Sequence, residues 1–214
     1  MTRKMTTSTN HTQAGQGLIE LVVAIGIIMI GLMGVVGLFL SNYSGEQSAK
    51  ARIVGANLAR EGVELVRNIR DTNWLFIDEN MFCEGSSCQW YSGLNAGEYI
   101  VVSDFDNILD NNVYLNSDVS DTTLYINENG FYSHNSSGKP TLYHRVVTIR
   151  DICCNDADDD LQCNNIGDFD IKDENTTCKS NELLVGKDIE SKVSWTLADR
   201  DQEVVIQSQL FNWR

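Results

Sequence analysis

The 214 residues carry 16 basic and 30 acidic side chains, a formal charge of −14, so the folded surface repels polyanions and no nucleic-acid partner is expected. Once a membrane-length segment is subtracted, about 150–170 residues remain, the size of one ordinary domain. A single proline, Pro140, excludes a proline-rich stalk, and six cysteines beside a membrane segment point to disulfides in an oxidising compartment.

Residues 1–15, MTRKMTTSTNHTQAG, are polar, with Arg3 and Lys4 but no apolar core. A secretory signal places its apolar stretch before the cleavage site; here the apolar stretch comes after. From Leu18 to Leu40 run 23 residues whose only charge is Glu20, long enough to cross roughly 30 Å of hydrocarbon as a helix. The nearby Arg3 and Lys4 place the leader in the cytoplasm by the positive-inside rule, with the bulk of the chain on the other side of the membrane.

The stretch Gly15-Gln16-Gly17-Leu18-Ile19-Glu20-Leu21 resembles the processing site of type IV prepilins, in which a short basic leader ends in glycine and the apolar helix follows. The resemblance implies cleavage between Gly15 and Gln16 by a prepilin peptidase and methylation of the new amino terminus. It also implies partners: other pilin subunits through the N-terminal helix, the inner-membrane pilus assembly platform, and lipid before assembly. Glu20 falls at the fifth mature position, where the family has its glutamate; Gln16 stands where the family usually has phenylalanine.

Physical reasoning gives Glu20 a role beside that likeness. A carboxylate in a membrane helix costs roughly 2.5–3.5 kcal/mol at the centre and less near the edge, so such a residue usually has a partner. In a filament of packed helices the amino terminus of Gln16 can supply one, and pairing in a low-dielectric bundle sets axial register because a slip leaves both charges uncompensated. The bland alternative is a glutamate that snorkels into headgroups. Gly26, Gly31, Gly34 and Gly37 lie in the same span; close helix packing, local melting or ordinary membrane-helix usage all accommodate them.

Residues 46–70 continue in helical period, with Leu58, Gly62, Leu65, Val66 and Ile69 on one face and a kink expected at Asn42 to Gly45. A helix from Leu18 to Arg70 would be about 80 Å long at 1.5 Å per residue. Beyond Trp74 the segments 98–105, 123–127, 141–152, 187–197 and 203–213 are rich in β-branched and aromatic residues and read as strands. Asn129-Gly130 marks a hairpin turn, and a second turn is expected at Ala198 to Gln202. The predicted fold class is α+β and pilin-like: a long N-terminal helix, transmembrane in its first half, packed on a meandering antiparallel sheet. Its divisions are a leader 1–15, an apolar helix 16–40, an amphipathic continuation 41–74 and a β domain 75–214 with an acidic, cysteine-rich excursion 151–182. The ending in Asn212-Trp213-Arg214, with the segment 60–74, resembles the minor pilins of type IV pili.

Cys83 and Cys88 enclose a short turn and are expected to form a local disulfide. Cys153 and Cys154 seldom bond to each other because the geometry is strained, so each is expected to reach Cys163 or Cys178; a four-cysteine zinc site is the competing reading. Asp156, Asp158 and Asp160 alternate as in the first half of a calcium loop, but Leu161 and Gly167 stand where its turn glycine and bidentate glutamate belong. A looser calcium site closed by Asp168, Asp170 or Asp173 stands against a solvated acidic loop. No phosphate loop, nucleophile elbow or metalloprotease motif occurs, and His134 and His144 have no evident nucleophile partner, so no enzyme is expected. Asn42, Asn135 and Asn175 begin glycosylation sequons. The function expected is that of a minor pilin: a single-pass inner-membrane protein before assembly, its domain outside, and part of an extracellular pilus afterwards. The alternatives are a pseudopilin of a type II secretion system and a helix-anchored surface adhesion module.

Overall fold

The computed structural model describes residues 16–78, 89–103, 113–155 and 169–212. The chain forms two compact units, Met1–Ala49 and Lys50–Arg214, each taken by itself. The helix α1 (Gln16–Asp78) contributes to both. In the first unit its side chains from Gly17 to Gln47 are all exposed. Helix continues without a break through Asn42–Gly45; a single glycine costs a helix only about 1 kcal/mol, and no proline removes a hydrogen bond.

In the second unit α1 buries a stripe made of Ala51, Gly55, Leu58, Ala59, Gly62, Val63, Leu65, Val66 and Trp74. These recur at steps of three and four, as a helix lying on a sheet requires. The helix extends to Asp78, past the boundary expected at residue 74. Asn73 Nδ2 donates to the carbonyls of Trp90 (3.1 Å) and Ser92 (2.8 Å), fixing the segment after the helix.

The strands among the described residues are β1 (Gly97–Ser103), β2 (Val113–Asn116), β3 (Thr123–Ile126), β4 (Tyr132–Ser133), β5 (Lys139–Asn155), β6 (Phe169–Ile171), β7 (Glu182–Leu197) and β8 (Arg200–Phe211). All described pairings are antiparallel. The sheet is not the simple meander expected. β5 is its hub: β7 runs along one edge, while β3, β1 and β6 pair in series along the other. β2 extends β1, and β8 extends β7. β6 and the ends of β5 and β7 fall inside the excursion expected as loop.

Alternation decides which side chains meet the helix. From β5 come Tyr143, Arg145, Val147 and Ile149, and from β7 Ile189, Ser191, Val193 and Trp195, all buried. Two clusters result: Val63, Leu65 and Val66 with Val101, Val147, Ile149, Ile189 and Leu210, and Ala51, Leu58 and Ala59 with Leu124, Tyr143, Val193 and Trp195.

The β7–β8 hairpin closes through Ala198 and Asp199 alone, at φ 50° and 59°, the positive values that a two-residue type I′ turn needs. The turn expected to reach Gln202 is therefore shorter, and β8 starts at Arg200. The β3–β4 turn passes through Gly130 at φ 85°. There Asn127 Oδ1 accepts from the N–H groups of Asn129 (3.0 Å) and Phe131 (2.9 Å), the side-chain mimicry of backbone that suits asparagine to turns.

Two helix glycines are required by contact with the sheet. A Cβ at Gly55 would lie 2.6 Å from Trp195 Cζ3, and one at Gly62 would overlap Ser191 Oγ and lie 3.2 Å from Arg145 Cδ. Overpacking of this kind costs about 1–3 kcal/mol, against about 1 kcal/mol of helix propensity recovered by alanine. Gly62→Ala is therefore expected to lower the unfolding midpoint of the full chain in detergent by about 2–4 °C for each kcal/mol of net loss, followed by near-ultraviolet circular dichroism. In a Ser191→Ala background, where the overlapped oxygen is gone, the penalty should shrink; an equal penalty in both backgrounds would show that the overlap is not its cause.

Candidate functional site

The N-terminal segment is built from composition upward. The 18-residue window that marks α1 as long and apolar enough to cross a membrane has a mean hydropathy of 2.8, and none of it is buried within the chain. Leu18, Ile19, Leu21, Val22, Ile27 and Ile30, with the other large apolar side chains to Leu40, lie open. At about 100° per residue, Gly17, Glu20, Ala24, Gly31 and Gly34 share one face of the helix. Around Gly17, Gly26, Gly31, Gly34 and Gly37 a Cβ would meet nothing within 4 Å. Among the described residues nothing requires glycine at these five positions, in contrast to Gly55 and Gly62. Gly15 lies outside the described residues, and Gln16 begins the helix.

The second candidate, the cysteine-rich excursion, is partly described. Cys153, fully buried on β5, is bonded to Cys178, closing a separation of 25 residues. Cys154 is disulfide-bonded as well. These three sulfurs are therefore not thiolate ligands for zinc, and the grouping of Cys153 and Cys178 with Glu182 offers one carboxylate beside a disulfide. Cys83, Cys88 and Cys163, and the candidate calcium ligands Asp156, Asp158, Asp160 and Asp168, lie outside the described residues. Asp170 is described: its carboxylate takes Lys172 Nζ at 2.7 Å, and the same ammonium reaches Glu182 at 2.9 Å. Asp170 thus shares one ammonium with Glu182.

Ion pairs hold the excursion to the sheet. Arg150 reaches Asp188 at 3.1 Å, Glu190 at 2.9 Å and Glu174 at 3.6 Å. Asp151 and Lys187, directly opposite in register, form a buried pair at 2.5 Å, with the ammonium 5.4 Å from the centre of the Tyr91 ring.

A buried charge escaped sequence reasoning. Arg145 is fully buried between helix and sheet, its Nη1 donating to the Leu58 carbonyl at 3.2 Å and standing 3.7 Å from Glu61. Burial pushes the guanidinium down from its ordinary value while Glu61 opposes the shift. Burial likewise pushes Glu61 up, against the pull of Arg145. Nothing in the strand pattern distinguishes Arg145 from a surface arginine except its place in the alternation Tyr143, Arg145, Val147, Ile149. His134 contacts the Thr123 carbonyl through Nδ1 at 3.2 Å, and burial, then the positive Arg145, lower its pKa to about 4.

Residues 10–36 match the family model described as the prokaryotic N-terminal methylation motif, the type IV prepilin-like signature. No curated protein and no solved structure matches the chain. The motif spans Gly15, Gln16 and Glu20 and most of the exposed apolar helix, and it joins the α+β, pilin-like layout of a long helix and an antiparallel sheet.

His134 makes folding depend on acidity. Its folded pKa lies below its unfolded value, so the folded state binds fewer protons and the contribution is complete above about pH 6.5 and lost as pH falls towards about 4. Glu61 acts in the opposite sense, with a contribution present below its unfolded value and lost as pH rises through its raised folded value. Comparing unfolding midpoints of the parent and His134→Gln chains between pH 7 and pH 4 should show a shallower decline in the variant; parallel curves would refute the assignment.

Proposed function

We propose that this chain is a minor pilin, a structural subunit of a type IV pilus, cut between Gly15 and Gln16 by a prepilin peptidase, methylated on Gln16 and assembled through its N-terminal helix. The observation that carries the reading is the exposed face of the first unit. Among the described residues a Cβ at its glycines would meet nothing within 4 Å, and within a bundle of like helices they permit close backbone approach. Glu20 lies on the same face as three of them, where a cationic amino terminus can compensate it.

The role is structural rather than catalytic. Before assembly the apolar helix sits in the inner membrane with the domain on its outer side, where the Cys153–Cys178 disulfide is stable; after assembly the helix forms the filament core. Its partners are other pilin subunits, the peptidase and the assembly platform.

Two measurements test this. Peptide mapping of the chain recovered from purified pili should find a methylated Gln16 as its first residue; an intact leader in the filament would refute processing. Glu20→Ala should leave the chain in the membrane fraction and remove at least nine-tenths of it from sheared pili. Undiminished incorporation would show that Glu20 does not govern assembly.

A further inference from the structure

Beside the faces of β1 and β2, the β3–β4 turn and the chain leading into β5 form an open groove of about 930 Å³, within the size range of small-ligand sites. Its floor comes from a cross-strand patch: Val102 opposite Tyr114 and Ile100 opposite Asn116, neighbours on one face. The Tyr114 ring stands 52% exposed above this aliphatic floor.

The walls carry amides fixed in place. Asn116 Oδ1 accepts from the Asp118 N–H at 2.9 Å, Asn127 Oδ1 from two turn N–H groups, and Asn135 Oδ1 from the Ser137 N–H at 3.0 Å. Each oxygen is occupied by the chain's own turn, which immobilises the side chain and leaves its NH₂ group as a donor. Two further lining groups are buried without a hydrogen-bond partner, Ser103 Oγ, in a residue only 4% exposed, and His134 Nε2. An unpaired buried polar atom is costly, so a ligand that satisfies these atoms gains free energy from the groove.

The lining also decides the charge of the ligand. Among the described lining residues the charged side chains are Glu128 and Lys139, one of each sign and both exposed. On a chain of formal charge −14 the described lining is balanced in charge. The depressed pKa of His134 keeps its imidazole uncharged at neutral pH, so it does not call for an anion.

We propose that this groove binds a neutral oligosaccharide. Hydroxyl groups of a sugar accept from the fixed amide donors, pair with Ser103 and donate to the lone pair of His134 Nε2, whose ring gives its Nδ1 proton to the Thr123 carbonyl. The C–H faces of the sugar rest on Tyr114 and on the floor of Ile100 and Val102. An apolar ligand would leave the buried polar atoms unpaired. An extended peptide docks on a sheet chiefly through main-chain edges, whereas this groove presents strand faces and side-chain amides. The inference is independent of filament membership, since it rests on the second unit alone.

The test is saturation-transfer NMR on the full chain, held in a detergent without a sugar headgroup, against lactose, maltotriose and chitotriose, with an uncharged Gly/Ser pentapeptide alongside. At least one sugar should receive transfer, and its Kd should rise tenfold or more in Tyr114→Ala and in His134→Gln. Tyr114 is exposed, so its variant keeps the measurement decisive if the His134 variant unfolds. Lys192→Ala, at an exposed position on β7 outside the groove, should leave sugar binding unchanged. No transfer to any of the three sugars, an unchanged Kd in Tyr114→Ala, a Kd that rises as much with Lys192→Ala, or transfer to the peptide in place of the sugars would overturn the proposal.

Discussion

The second unit depends on how closely one helix approaches one pair of strands. Gly55 and Gly62 are seven residues apart, two helical turns, and face Trp195 and Ser191 of β7, four residues apart along a strand. Side chains at those helix positions would push helix and sheet apart and open the two apolar clusters on either side. Without the close approach, Tyr143 Oη would not reach the Ala51 carbonyl at 3.2 Å, nor Arg145 the Leu58 carbonyl. A methyl group at either glycine therefore costs more than its own overlap, because the displaced surfaces are also the ones whose burial holds the sheet to the helix.

The sheet makes that contact possible through its hub strand. β5 is 17 residues long and has partners on both edges, so one strand carries the alternation that aims Tyr143, Arg145, Val147 and Ile149 at the helix. Where the register shifts between Ile152 and Cys153, the strand passes from core packing to the disulfide with Cys178. At that bend β7 has Gly186, where a Cβ would lie 2.8 Å from Phe211 Cδ1. The excursion is thereby fastened by a covalent bond, by backbone pairing to β6 and by the ion pairs of Arg150 and Lys172, which offset part of its acidic self-repulsion.

Sequence reading reached the parts of this architecture that rest on local patterns. Gly15 to Leu21, the uninterrupted apolar run and the turn at Asn129-Gly130 each announce themselves within a few residues. The strands at 141–152 and 187–197 were legible from alternation, although not their full lengths. The β7–β8 turn was legible at Ala198 but not its tightness, because Ala198-Asp199 lacks the glycine or asparagine that usually accommodates positive φ; there the long paired strands hold a two-residue turn instead. β6 has three residues with no alternation to read, and the hub role of β5 is set by pairings between distant segments. Gly55 was overlooked although its seven-residue spacing from Gly62, with Ala51 and Ala59 beside them, is a readable signal of close packing. The groove residues and Arg145 were illegible for a different reason: their character comes from what surrounds them, and an asparagine in a turn or an arginine in a strand looks the same in sequence whether it is solvated or buried.

A buried arginine has to be accounted for, since well-packed apolar residues often serve a core at least as well as an ion pair does. Arg145 has one neutral acceptor on the helix, the Leu58 carbonyl, and one acid, Glu61, whose own burial raises its pKa. The arrangement adds little attraction, but it specifies position. Sliding the helix by one turn would carry Leu58 and Glu61 away from the guanidinium and bring Gly62 out from against Ser191, leaving a buried charge with neither partner. Apolar stripes alone tolerate such a slip, because a stripe repeated every three or four residues looks similar one turn further on. On the reading proposed for the first unit, Glu20 solves the corresponding problem between chains: a lone charge on a face otherwise made of small and apolar residues has one position at which it is compensated. The same helix would then be registered twice, by Arg145 against its own sheet and by Glu20 against its neighbours.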